Sequence, residues 1–139
     1  MIQRAACSVL TVLCLGCLDP DVFYEVSISG SVTSEESGPV ELWFLHNTWG
    51  EDTLQTQYMV IDTLWLESPT TFATDLSVPQ GNGEGLSIYG WQDHTEDGQH
   101  CRPGTDPELS GLAHVSEYPA HVIEVSLSLE TPCEGPEGL

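Results

Sequence analysis

Between Asp93 and Glu108 the chain reads DHTEDGQHCRPGTDPE, with carboxylates, a hydroxyl, imidazoles and a thiol in one polar stretch. Several chemistries use such groups. A hard cation such as calcium takes about six to eight oxygen ligands, so oxygen-bearing residues at alternate positions suit it. Asp93 and Asp97 offer carboxylates, Thr95 a hydroxyl and Gln99 its backbone carbonyl, while Gly98 permits a sharp turn. Asp106 or Glu108 would complete the set from further along. These six residues form the candidate calcium site, and calcium is the one cofactor the sequence suggests; the alternative is a chain with no cofactor.

The opening DHTEDG resembles the start of a calcium loop, D-x-[DN]-x-[DN]-G. The resemblance stops at Gly104, which stands where an EF-hand has its bidentate glutamate, and strand-like segments flank the stretch in place of helices. Any calcium site here is therefore of another kind. A softer metal would use His94, His100 and Cys101, but no C-x2-C or H-x3-H spacing accompanies them. His46, His114 and His121 read as structural, at strand ends or on strand faces. No nucleophile motif such as G-x-S-x-G or H-E-x-x-H occurs, and nothing singles out one pair among the many carboxylates as a hydrolytic pair. Catalytic residues are therefore not assigned, and an unrecognised hydrolase is the weakest of three functional readings. The other two are a non-enzymatic binding or structural domain, which leads, and a calcium-dependent interaction or adhesion module using residues 93–108.

Charge narrows the partners. The chain carries 22 Asp and Glu against two Arg and no Lys, a formal charge of −20. Such a surface repels the phosphates of nucleic acids, so DNA or RNA binding is excluded, and it favours cations and basic partners. A protein or glycan ligand fits this class; anionic substrates do not. Four Trp, four Tyr and three Phe argue for a packed core rather than disorder.

The N-terminus, MIQRAACSVLTVLCLGCLDPD, places the protein. Arg4 supplies a positive start, and residues 5–15 are apolar but too short to span a bilayer. Gly16–Cys17 follows at the end of the run. This arrangement resembles a bacterial lipoprotein signal, although Leu13, Cys14 and Leu15 depart from its usual pattern. The resemblance implies cleavage after Gly16, diacylation and palmitoylation of Cys17, and attachment to the bacterial cell envelope. Leu18 after the cysteine implies the outer membrane. If Cys17 is not acylated, the protein is secreted. With Cys17 acylated, Cys101 and Cys133 remain as an even pair in an exported chain, and a disulfide between them is expected. Residues 1–16 then form the signal peptide, 17–21 a tether, 22–130 the domain and 131–139 a tail, loose beyond Cys133.

The elements that must position residues 93–108 alternate with a period of two. Val26, Ile28 and Val32 alternate with serines; Val40, Leu42 and Phe44 with Glu41, Trp43 and Leu45; Phe72, Leu76 and Val78 with Asp75 and Ser77; Ile123, Val125, Leu127 and Leu129 with polar residues. The denser run QYMVIDTLWLE is expected to bend or to divide into two strands. GLSIYGWQ and the weaker GLAHVSEY bracket the acidic stretch. Trp43, Trp65 and Trp91 fall in strands, and Trp49 in a loop. About seven short strands with Gly, Pro and Ser separators give an all-β antiparallel sandwich, with one polar face to most strands. The fragments ISGSV, GPVELWFL, FATDLSVPQGNGEGLSIYGWQD and VIEVSLSLE resemble transthyretin-like, or carboxypeptidase-regulatory-like, modules. That resemblance implies a Greek-key sandwich and an accessory or adhesive role, and no activity.

Overall fold

A computed structural model of the chain describes residues 23–50, 55–79, 85–101 and 108–136, without the side chains of 49 and 50. The expected signal peptide, Cys17 and the expected tether lie outside the described residues, as do Arg102, Asp106 and the last three residues. The fold is an all-β sandwich. Its strands are β1 (Phe23–Ser34), β2 (Val40–Gly50), β3 (Gln55–Leu66), β4 (Thr71–Pro79), β5 (Gly85–Gln92), β6 (Leu109–His114), β7 (Val122–Leu129) and the short β8 (Thr131–Pro132). A three-stranded sheet has the order β4-β1-β7, and a five-stranded sheet the order β3-β2-β5-β6-β8. The chain passes repeatedly between the sheets, the crossing connectivity of a Greek key. Among the described residues every strand pairing is antiparallel except β1 with β7, which run parallel.

The alternation explains the core. Val26, Ile28 and Val32 of β1, Leu76 and Val78 of β4, and Ile123, Leu127 and Leu129 of β7 are buried and point at Val40, Leu42, Phe44, Leu86 and Ile88 of the other sheet. The outer face of the smaller sheet is polar, as expected: Ser27 donates to Asp75 at 2.6 Å and Ser77 to Glu25 at 2.6 Å, each pair directly opposite in register. At two glycines the facing sheet leaves no room for a side chain. A Cβ on Gly111 would lie 2.1 Å from the Ser128 carbonyl oxygen, and one on Gly90 would lie 2.7 Å from Leu127 Cδ2. Gly90 and Gly111 are cross-strand partners, so two missing side chains let β7 settle on β5 and β6.

Three sequence expectations change. The run 55–66 is one strand, and its bend is a bulge: Phe44 pairs with Asp62 but Leu45 with Val60, leaving Ile61 as the extra residue. Trp49 belongs by its backbone to β2 rather than to a loop. The tail is not loose immediately after Cys133. Glu134 N–H donates to Ser110 Oγ, the Glu134 carbonyl accepts from the Tyr89 hydroxyl, and Pro136 is buried.

Candidate functional site

The acidic stretch is the connection between β5 and β6, and the ladder dictates its base. Gln92 pairs with Leu109, so Asp93 and Glu108 are the next residues on facing strands and meet as the strands part. Gln92 is itself fully buried; its amide donates to the carbonyls of Glu36 and Gly38 and accepts from Ser34 Oγ at 2.6 Å. Asp93 N–H donates to the Pro39 carbonyl at 2.9 Å. The connection therefore starts from a fixed point against the β1–β2 turn.

From there the Asp93 side chain shapes the turn. Its carboxylate accepts the backbone N–H of Asp97 at 3.0 Å and of Gly98 at 2.7 Å, and the Thr95 hydroxyl at 3.4 Å. Aspartate commonly organises turns this way, by replacing backbone acceptors with a side-chain one. Gly98 has φ of 70°, in the left-handed region where a Cβ is penalised. Gln99 donates its N–H to Asp97 Oδ1 at 2.8 Å.

Three of the six candidate calcium ligands come together. One carboxylate oxygen from each of Asp93, Asp97 and Glu108 lies within 4.8 Å of the others. Asp93 and Glu108 are only 2% and 1% exposed, so two of the carboxylates sit inside the protein surface. Thr95 is engaged with Asp93, and Asp106 lies outside the described residues. The donor set is chemically suited to a hard divalent cation, since it is made of carboxylate oxygens, each carboxylate having about four lone-pair sites. The groups would hold calcium by charge and oxygen coordination, with the remaining ligands from backbone or water.

The far side of the connection lies on the outer face of the five-stranded sheet. Cys101 and Cys133 form a disulfide, with Cα atoms 5.0 Å apart. It ties the connection to the chain that follows β8, where Cys133 N–H also donates to the Glu108 carbonyl at 2.6 Å. Beneath it is a second apolar cluster of Leu45, Tyr89 and Trp91, with Trp43, Tyr58, Leu112 and Cys133 around them. The His100 ring packs 4.6 Å from Trp43 and 5.2 Å from Trp91, and its Nε2 is 2.8 Å from the Tyr89 hydroxyl. Burial lowers the His100 pKa below its ordinary value, and the Glu41 carboxylate opposes that shift. The transition-metal arrangement does not form as the sequence placed it: Cys101 is in a disulfide rather than a thiolate, and the ligand group around it contains His100 and Cys133 but not His94.

Elsewhere, Ser87 Oγ lies 2.8 Å from His114 Nδ1 and 2.7 Å from Asn47 Nδ2, a spacing that a nucleophile and its base also show. Ser87 is fully buried, however, and among the described residues no carboxylate is bonded to His114. His46 is buried on the inner face, and His121 stacks on Tyr24 at 4.4 Å. Sequence reasoning missed Glu41, Tyr89 and Gln92. Tyr89 and Gln92 flank Trp91 at the end of β5, a strand buried along nearly its whole length, so a polar atom there needs a built partner.

No protein-family model matches the chain, and neither a curated protein nor a solved structure does.

Proposed function

We propose that this is a non-enzymatic, lipid-anchored domain of the bacterial cell envelope, transthyretin-like in lineage, with a binding or structural role. The observation that carries the reading is the disulfide between Cys101 and Cys133. Such bonds persist in oxidising compartments outside the cytosol, in keeping with an export signal over residues 1–16. The same bond fastens the Cys101 end of residues 93–101 to the chain that follows β8. Seven main strands in two sheets agree with the transthyretin-like resemblance. The test is fractionation of the wild type and Cys17→Ser. Acyl chains on one residue would be the anchor, so the variant moves from the detergent phase to the soluble phase. An unchanged partition overturns the anchor.

A second reading is favoured by the approach of Asp93, Asp97 and Glu108: a module stabilised by calcium, and through it able to bind in a calcium-dependent way. Like charges held this close repel, and a divalent cation relieves the repulsion. Millimolar calcium then raises the melting temperature more than magnesium does, because magnesium demands a stricter octahedron. A calcium response no larger than that of sodium chloride at equal ionic strength is screening alone and removes this reading.

A further inference from the structure

We infer that the outer face of the five-stranded sheet, at Trp65, Glu41 and Trp91, is a docking site for a basic polypeptide segment. An arginine or lysine of that partner packs on the Trp65 indole and pairs with the Glu41 carboxylate. The inference rests on the binding role proposed above and gives it a place and a partner chemistry.

The register puts these residues in one row. Glu41 lies opposite Trp65 on one side and Trp91 on the other, so the carboxylate stands between two indoles on the same face. The indoles meet edge to face, 6.4 Å between centroids at 73°. Trp91 Nε1 donates to Glu41 Oε2 at 2.9 Å, which fixes the carboxylate against the sheet. Trp91 is buried, but Trp65 is 50% exposed, and Val60 on the same strand face is 49% exposed. Strand β3, which carries both, is the edge of its sheet. The row therefore offers a held anion beside an open aromatic ring.

Two physical facts select a cationic occupant. An indole face attracts ammonium and guanidinium groups more strongly than other aromatic rings do. A chain with 22 acidic and two basic residues draws polycations to it before contact. Arginine combines both requirements, since its planar group stacks on a ring while its N–H groups reach a carboxylate. A neutral glycan would stack on Trp65 too, but it would have no use for the surrounding charge.

The test is titration of the full chain, in non-ionic detergent at low ionic strength, with an oligo-arginine peptide, followed by calorimetry. Trp65→Ala leaves the charge unchanged and removes a half-exposed ring, so the melting temperature serves as a folding check. It is expected to weaken binding about tenfold, with Trp65→Phe in between. Glu41→Gln, which keeps an acceptor for Trp91, also weakens binding. Glu124→Gln, on the outer face of the other sheet, has little effect. Oligo-arginine binding that ignores Trp65→Ala, or that responds equally to Glu124→Gln and Glu41→Gln, reflects net charge alone and overturns the inference. So does absence of binding, or a neutral oligosaccharide that needs Trp65 where the peptide does not. Failure on any of these arms leaves the acylation of Cys17 to be judged separately, by mass.

Discussion

Asp93 does two jobs with one carboxylate: it closes the turn at Asp97 and Gly98, and it stands beside Asp97 and Glu108. These roles are separable. Asp97→Ala keeps the backbone N–H that Asp93 accepts, so it should remove any calcium-dependent rise in melting temperature while changing calcium-free stability little. Asp93→Ala should lower stability with or without calcium. Saturating calcium at a hundred times Kd would contribute about 2.7 kcal/mol to the wild type, and calorimetry of the three proteins checks all of this. His100 gives a pH signature. Because its folded pKa is lowered, the unfolded chain takes up the proton first as pH falls. Its contribution to stability is present above the ordinary histidine value of 6.5 and is lost below it, down through the folded value. The fall in melting temperature between pH 7 and pH 5 should be smaller in His100→Gln than in the wild type; an identical fall would mean His100 is not a source of acid sensitivity. The sequence pointed to the calcium residues through oxygen spacing, and three of them do meet. It offered Asp106 or Glu108 to complete the set, and the approach of Glu108 follows from the Gln92–Leu109 pairing, which no spacing along the chain reveals.

Element by element, the period-two pattern carried the fold, since burial of one strand face demands it. Val26, Ile28 and Val32 were legible for that reason, as were Ile123, Leu127 and Leu129. What the pattern hid was the outer face of the larger sheet. Leu45, Tyr89 and Trp91 are out of step with the inner core, yet they are buried under the β5–β6 connection and the tail. A residue covered by a loop distant in sequence has no periodic signature. The bulge at Ile61 appeared only as an over-dense run. Gly111→Ala pushes a methyl into the Ser128 carbonyl and should cost about 1–3 kcal/mol as overpacking, measured by denaturant unfolding; Gly98→Ala, with open space around its Cβ, strains only the backbone. Reducing Cys101–Cys133, which are 32 residues apart, should remove roughly 3–4 kcal/mol on the chain-entropy account. Amide exchange should then rise in both residues 93–101 and 131–136, because one bond holds both segments.

At the scale of the whole molecule, an acidic sandwich with the proposed lipid on Cys17 would sit at a membrane through acyl chains, while its charge keeps it off anionic headgroups and inclines it toward cations. Cys101 and Cys133 close the fold; in the proposed reading Cys7 and Cys14 leave with the signal and Cys17 takes the lipid. Intact mass and peptide mapping of the protein purified from bacterial membranes reads all of this at once. The expected result is a chain beginning at acylated Cys17, with Cys101 and Cys133 recovered as one linked peptide pair. A chain that begins elsewhere, an unmodified Cys17, or a free thiol at Cys101 would contradict the account.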